Sequence, residues 1–337
     1  MKKKIRIIAY LSPSGSRFYR CEQIFKYLNR TGEFECVISP NTVTDEEVMW
    51  ADIIFAQSLV SPENISTLWA YQIERGKKIV SDRDDVIVVE DHNPFKPTHD
   101  LTHAPTWTKQ LLEISNLVTV TTEEIASEVK PLNKNTVVIP NGLDMELWDK
   151  LLIPNDSDIV RIGYTASITH RKDLEMIAPA IRQVLKENPK SKFIICGDLY
   201  LTKFFQDVNP AQIEFVDGTS NVYGWPDKVR SLSLDIAIAP VIDNHFNRGR
   251  STLKFLENSM GGAAGVYSPC TYKGIVKHGK NGFLATTNDE WVTYLNTLIQ
   301  DKKLRKEMAK KARKMVMRNY DVRKFIPLYA DLFKKLV

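Results

Sequence analysis

The residues best suited to chemistry are three cations and an acid in the second half of the chain: Arg248, Arg250, Lys254 and Glu257. Guanidinium and ammonium groups at this spacing can neutralise a diphosphate, and a carboxylate can accept hydrogen bonds from two hydroxyl groups. Lys254 and Glu257 also have the three-residue spacing of an exposed ion pair on a helix. A glycine-rich stretch that permits close backbone approach follows them and favours a functional site, with Ser251 capping the helix.

A second cluster precedes it in the sequence. Gly163 is expected directly after a strand, and His170, Arg171 and Lys172 are expected at the start of the next helix. Backbone N–H groups at a helix N-terminus point at an anion, so a glycine and cations at this place suit a diphosphate. Tyr223 follows a later predicted strand, where it either stacks on a nucleobase or anchors a turn as a buried aromatic residue.

The turn after the first predicted strand contains Gly15, Ser16 and Arg17. Its backbone N–H groups could approach an anion at a helix N-terminus, and a plain strand-to-helix turn explains the same residues equally well. The three-glycine fingerprint of dinucleotide-binding folds is missing here, so neither NAD nor FAD is predicted.

Three acids, Asp82, Asp84 and Asp85, are expected to follow a strand at 78–81. They fit a ligand-binding loop and a solvated turn equally well. Asp82 and Asp84 form an Asp-x-Asp pattern that can hold a divalent cation, but so simple a tripeptide does not predict a metal. Three histidines share no helical face and predict no metal site either: His92, His99 and His103.

Length and composition predict two soluble globular domains. The 337 residues are 43% hydrophobic and 26% charged, which excludes a disordered or fibrous chain. The net charge of +5 is mild, but residues 302–324 hold eleven Lys/Arg and two acids, a local surplus of +9. Four scattered cysteines favour a reducing, cytoplasmic setting. Without a run of roughly 20 apolar residues, the protein is expected to be soluble or at most peripheral to a membrane.

Apolar β-branched runs alternate with segments of helical period, which predicts an α/β fold with two Rossmann-like domains. The first half has runs at 5–10, 36–38, 53–56, 78–81, 117–120 and 136–139. The second half has runs at 160–164, 192–196, 213–216, 236–239 and 265–268. We expect domains at 1–150 and 151–318, and a final helix at 319–337 that packs back toward the first domain. The basic helix from residue 302 fits either a polyanion-binding surface or an ordinary solvated face, and we favour the latter.

In four segments the chain resembles the retaining, nucleotide-sugar-dependent glycosyltransferases of GT-B fold, the glycogen-synthase-like superfamily. The similar segments are 138–144, 162–173, 234–240 and 253–262. Residues 80–85, 93–94, 170–173 and 246–257 are similar to a narrower subgroup common in phage and bacterial genomes. The resemblance implies two Rossmann-like domains facing an interdomain cleft, with an acceptor-binding first domain and a nucleotide-sugar-binding second domain.

The resemblance also implies roles for single residues. Glu257 matches the acid that holds the ribose hydroxyls of the donor, and Lys254, with Arg250 or Arg248, matches the cations at the departing diphosphate. The other implied donor-binding residues are Gly163, His170, Arg171, Lys172, Ser251 and Tyr223. Asp84 or Asp85 is expected to contact a sugar. The superfamily often has a second glutamate eight residues before the ribose-binding one, and this chain has Gly249 there.

The function predicted from the sequence is transfer of a sugar, by default from UDP-glucose, to a hydroxyl acceptor with retention. No metal or other cofactor is expected. The acceptor stays open among a hydroxymethylated pyrimidine in phage DNA, a surface polysaccharide, a lipid and a protein, and the oligomeric state stays open too. A phage-encoded enzyme would work in the host cytoplasm. Two alternatives remain: a sugar-nucleotide epimerase on the same fold, and a catalytically silent sugar- or DNA-binding module.

Overall fold

The computed structural model describes residues 3–11, 15–39, 44–57, 62–87, 104–155 and 157–337. The chain divides into two compact units. Unit 1 comprises residues 1–144, 249–251 and 321–337, and unit 2 comprises residues 145–248 and 252–320. The chain therefore returns to unit 1 twice after first leaving it.

Unit 1 is built on a parallel six-stranded sheet in the order β2-β1-β3-β4-β5-β6. Its strands are β1 (Ile5–Leu11), β2 (Phe34–Ile38), β3 (Ile53–Gln57), β4 (Lys78–Arg83), β5 (Leu117–Val120) and β6 (Thr136–Val138). Its helices are α1 (Gln23–Arg30), α2 (Asp45–Trp50), α3 (Pro62–Arg75), α4 (Ala104–Ile114), α5 (Glu123–Val129) and, from the C-terminus, α14 (Ile326–Lys334).

Successive residues of a strand point to opposite faces of a sheet, and β1 shows how this forms the two cores of unit 1. Ile7 packs in a cluster with side chains of α1 and α14, whereas Ile8 packs with side chains of α2, α3 and α4. Both isoleucines are fully buried. The sheet is covered on both faces, which is typical of parallel sheets.

Unit 2 has a second parallel six-stranded sheet, in the order β12-β11-β10-β7-β8-β9. Its strands are β7 (Val160–Ala166), β8 (Ser191–Gly197), β9 (Ile213–Asp217), β10 (Ile236–Ala239), β11 (Ala264–Tyr267) and β12 (Phe283–Leu284). Counted from β7, this is the Rossmann order 3-2-1-4-5-6. Ligands of such sheets bind at the carboxyl ends of the two strands where the order reverses, here β7 and β10.

The helices of unit 2 cover both faces of that sheet. They are α6 (Met145–Trp148), α7 (Arg171–Glu187), α8 (Trp225–Ser231), α9 (His245–Gly249), α10 (Leu253–Met260), α11 (Pro269–Tyr272), α12 (Asn288–Gln300) and α13 (Lys302–Asn319). On β8, Ile195 packs with α7 and α12, and its neighbour Ile194 faces the opposite cluster.

The predicted α/β fold with two Rossmann-like halves is confirmed, and the eleven predicted strands all appear. The sequence missed β12, which is only two residues long. The strand predicted to end at Ser81 continues to Arg83. Among the described helices, none combines the length and the apolar composition that crossing a bilayer requires.

Candidate functional site

Lys254 reaches the carboxyl end of β7, one of the two strands at the switch point of unit 2. Its Nζ donates a hydrogen bond to the carbonyl oxygen of Thr165 and lies 6.0 Å from the centroid of the Tyr164 ring. Glu257 follows one turn later on α10 and is only 7% exposed. The alternative of an exposed Lys254–Glu257 pair is therefore wrong, and Lys254 is a cation held at the end of the first strand of this sheet.

Asp173 connects the two loops of the same switch point. His170, at the N-cap position of α7, is buried, and its Nδ1 lies 2.9 Å from Asp173 Oδ2. Asp173 Oδ1 accepts a hydrogen bond of 2.9 Å from the backbone N–H of Ile242, in the loop after β10. Asp173 was not predicted as a site residue, although its three-residue spacing from His170 at a helix start was a usable signal. The carboxylate orients the imidazole ring and fixes the spacing of the two loops.

The other cations predicted to bind the donor lie closer to the surface. Arg171 and Lys172 begin α7, and the guanidinium of Arg171 lies 5.9 Å over the ring of Tyr200. Arg248 Nε donates to Asp243 Oδ1 at 2.7 Å, with both side chains more than half exposed. Since an exposed ion pair contributes only about 0–1 kcal/mol, Arg248 can exchange Asp243 for another anion at little cost.

Tyr223 lies just before α8 and is 56% exposed. Its backbone N–H donates to Asn221 Oδ1 at 3.1 Å, so the turn is held by the asparagine side chain. The alternative of a buried aromatic anchor is wrong for Tyr223. Stacking on a nucleobase stays a prediction.

The expectation for Gly163 needs correction. Gly163 does not follow a strand but lies inside β7, paired with Ala237 of β10 and Ile194 of β8. A Cβ atom there would come within 2.2 Å of Leu234 Cδ1. Close packing against Leu234 therefore explains the glycine without any phosphate, and a contact between Gly163 and the donor stays a prediction.

In unit 1, the two aspartates of the Asp-x-Asp pattern lie in different surroundings. Asp82 lies inside β4 and is fully buried, as is Arg20. Arg20 Nε and Nη2 donate to Asp82 at 3.0 and 2.7 Å, and Thr119 Oγ1 donates to it at 2.6 Å. Burial raises the pKa of the Asp82 carboxyl group, but these donors oppose that rise and favour the ionised pair. Asp82 is therefore a structural ion, not a residue of a solvated turn.

Asp84 and Asp85 follow β4 and differ from Asp82 in their surroundings. Loss of solvent around the Asp85 carboxylate and the charge of Asp84 raise the pKa of Asp85 to about 6, against the opposing charges of Arg250 and Arg83. The residue as a whole is exposed, so water also screens the charges of Arg250 and Arg83. Arg250, which the resemblance places at the departing diphosphate, thus acts through its charge on Asp85 of unit 1.

Two side chains of unit 1, Thr122 and Asn141, hold the residues on either side of Arg250. Thr122 Oγ1 donates to the carbonyl oxygen of Gly249 at 3.0 Å, and Asn141 Nδ2 donates to Ser251 Oγ at 3.0 Å. A Cβ atom at Gly249 would come within 2.4 Å of Val86 Cγ1, which explains a glycine where the superfamily often has glutamate. Ser251 does not cap a helix: the N-cap of α10 is Thr252, without a side-chain capping bond.

The first predicted anion loop is described only from residue 15 onward. Ser16 Oγ accepts a hydrogen bond from Gln57 Nε2 at 2.8 Å, and Arg17 Nε donates to Glu22 Oε1 at 2.7 Å. Among the described residues, apart from its chain neighbours, no atom lies within 4 Å of a Cβ built at Gly15. Phosphate binding by this loop stays a prediction.

Metal binding finds no geometric support in the described part of the chain, where no group of three or more His, Cys, Asp or Glu side chains is placed to hold an ion. The three histidines considered in the sequence lie outside the described residues: His92, His99 and His103.

Comparison with known proteins agrees with this architecture. Residues 159–301, which belong to unit 2 apart from residues 249–251, match the family model described as glycosyl transferases group 1. No curated protein sequence matches the chain.

Solved structures of similar fold cover nearly the whole chain. HepE of Anabaena, in complex with UDP and glucose, is 15% identical over 98% of this chain and 100% of its own, with a TM-score of 0.70. Sucrose-phosphate synthase of Thermosynechococcus elongatus is 13% identical over 99% of both chains, with a TM-score of 0.73. A glycosyltransferase of Rickettsia africae is 12% identical over 100% of this chain and 99% of its own, with a TM-score of 0.70. The fold is that of the GT-B class.

Proposed function

We propose that the protein is a glycosyltransferase that takes a sugar from a nucleoside diphosphate donor and passes it to a hydroxyl acceptor with retention. The observation that carries this proposal is the switch point of unit 2, where Lys254 meets the end of β7 and Glu257 follows one turn later. Both residues lie inside the segment that matches the glycosyl transferases group 1 model.

The donor chemistry follows from these side chains. Departure of a nucleoside diphosphate leaves negative charge on its terminal phosphate, and the Lys254 ammonium would stabilise that charge, with Arg248 as a second cation. Glu257, an acceptor-only group, would hold the two ribose hydroxyls. UDP-glucose is the default donor, and the UDP complex of HepE, a protein of the same fold, supports trying it first.

Unit 1 contributes the candidates for the acceptor side. Asp84 and Asp85, next to Arg250, are the acids that could orient an acceptor hydroxyl or a sugar. Transfer of this kind relies on orientation and on charge stabilisation, so we assign no covalent nucleophile and no metal. The acceptor would be a hydroxymethylated pyrimidine in DNA, a polysaccharide, a lipid or a protein.

A donor screen tests the proposal. UDP-glucose and other UDP- and GDP-sugars are incubated with the protein, with and without hydroxymethylcytosine DNA and carbohydrate or lipid acceptors, and nucleotide release is measured. We expect release that depends on an acceptor and that survives EDTA. Release without an acceptor product would favour an epimerase or hydrolysis, and donor binding without turnover would favour a silent module. Complete loss in EDTA with rescue by Mn²⁺ would contradict the metal-independent mechanism.

A further inference from the structure

The helix α13 turns a strongly basic half toward solvent. Met308, Ala312 and Val316 pack inward. At about 100° per residue, the exposed cations occupy the opposite half of the helix. These cations, called here the α13 lysine face, are Lys302, Lys303, Lys306, Lys310, Lys311, Lys314 and Arg318. Glu307 is the one acid of the helix, so this half carries a clear excess of positive charge.

Arg313, another cation of this helix, is not part of that face because its side chain is half-buried. Its Nη2 donates to Asp149 Oδ1 at 3.0 Å and to the carbonyl oxygen of Lys150 at 3.1 Å. Its Nη1 donates to the carbonyl oxygen of Met260. Arg313 therefore fixes the loop at 149–153 beside the edge of the α13 lysine face.

That loop carries exposed apolar side chains. Leu151 is 90% exposed, Leu152 40% and Ile153 49%. The backbone is held in place, because Arg230 Nη1 donates to the carbonyl oxygen of Leu151 at 3.0 Å. A leucine displayed in this way, on a loop fixed by two arginines, is an exposed apolar group next to a basic surface.

We propose that the α13 lysine face and Leu151 together dock unit 2 on an anionic lipid bilayer. Lysines near an anionic membrane each attract the protein by electrostatics, and an apolar side chain inserted at the interface adds hydrophobic contact. A single convex helix presenting many lysines fits an extended charged surface rather than one bound anion. The exposed leucine favours lipid over nucleic acid, since a phosphate backbone offers it no apolar partner.

Vesicle co-sedimentation tests this surface. The full chain is mixed with vesicles of phosphatidylcholine alone or with phosphatidylglycerol, at low and physiological salt. Three variants are compared: the triple change Lys306→Gln, Lys310→Gln and Lys314→Gln; the single change Leu151→Ser; and a control triple change of equal charge at exposed lysines outside the surface, Lys186→Gln, Lys190→Gln and Lys273→Gln. Circular dichroism checks that each variant folds like the parent.

We expect the parent to bind anionic vesicles, more weakly at higher salt, and to ignore neutral ones. The α13 triple variant should lose about fivefold per lysine, roughly a hundredfold in all. Leu151→Ser should lose roughly tenfold, and the control triple variant should stay close to the parent.

Three results would overturn the proposal. The first is a parent that sediments no better with anionic than with neutral vesicles. The second is a control triple variant that loses as much as the α13 variant. The third is binding to duplex DNA that depends on the α13 lysines but not on Leu151, without vesicle binding, which would make the surface a nucleic-acid surface.

Discussion

At the scale of single residues, the acids at 82–85 show how position in the backbone separates similar side chains. Asp82 lies inside β4, where Arg20 and Thr119 surround it, whereas Asp84 and Asp85 follow the strand. The tripeptide in the sequence does not distinguish them, because the distinction depends on an arginine 62 residues away. Only Asp84 and Asp85 remain available for chemistry.

The first prediction concerns the buried pair. Asp82→Asn keeps the shape of the side chain but leaves the Arg20 guanidinium buried without its counter-ion, so it should cost about 3 to 5 kcal/mol of unfolding free energy. Urea unfolding followed by circular dichroism measures this. The matched control is Glu33→Gln, which breaks the exposed pair with Lys334 and should cost about 0–1 kcal/mol. Equal losses in the two variants would contradict a structural role for Asp82.

The second prediction concerns pH. The pKa of Asp85 is about 6 in the folded protein against an ordinary 3.8, so the folded state binds the proton more readily than the unfolded chain. The contribution of Asp85 to stability is therefore greatest below about pH 4 and is lost as pH rises toward 6. We expect the parent to lose stability relative to Asp85→Asn over that interval, in urea unfolding at pH 4, 5, 6 and 7.

Asp158→Asn, at an exposed carboxylate, is the control for the pH series. The difference in unfolding free energy between Asp158→Asn and the parent should vary less between pH 4 and 6 than the difference between Asp85→Asn and the parent. The decisive quantity is the free energy of unfolding of the parent minus that of Asp85→Asn. If this difference stays constant, or grows in favour of the parent as pH rises, Asp85 does not have a raised pKa.

At the scale of elements, α14 is the C-terminal piece that completes the core of unit 1. Phe333 is fully buried, and its ring centroid lies 6.4 Å from those of Phe34 and Phe55. The final helix of the chain therefore packs on the sheet of unit 1, whose strands come from the N-terminal half of the sequence.

The third prediction is that Phe333→Ala destabilises the protein by about 3 to 5 kcal/mol, because it leaves a cavity between α14 and the sheet. Leu328 lies on the same helix and is 40% exposed, so Leu328→Ala should change stability by less than about 0.5 kcal/mol. Thermal or urea unfolding of both variants decides this. A Phe333→Ala variant as stable as Leu328→Ala would mean that α14 is not part of the folded core.

The alternation of apolar runs predicted the elements well, because a parallel sheet buries whole strands and leaves a strong signal. The pattern could not reveal β12, whose two residues give no periodicity. It also ended β4 at Ser81, two residues too early, and for that reason Asp82 was expected after the strand.

The candidate site was predictable in its types of residue but not in its partners. Lys254 and Glu257 were predicted from their charges, from the glycine-rich stretch after them and from the resemblance to GT-B glycosyltransferases. The contact of Lys254 with Thr165, by contrast, joins residues 89 positions apart. The link from Asp173 to Ile242 spans 69 positions. Contacts of this range depend on the strand order, which the sequence pattern alone does not specify.

At the scale of the whole molecule, the similarity to known glycosyltransferases rests on different evidence for the two units. The match to glycosyl transferases group 1 lies wholly within residues 159–301, which belong to unit 2 apart from residues 249–251. Unit 1 is matched through the fold alone. The proposed function therefore depends first on donor binding by unit 2, at the switch point of β7 and β10.

Calorimetric titration with UDP tests that claim most directly. Glu257→Gln preserves the volume of a buried side chain and removes the charge that would hold the ribose hydroxyls. We predict that UDP binds this variant more weakly by about 1.5 to 3 kcal/mol, while Glu307→Gln, at an exposed acid of α13, binds like the parent. If a folded Glu257→Gln variant binds UDP as tightly as the parent does, the nucleotide site is not at Glu257 and the central claim is contradicted.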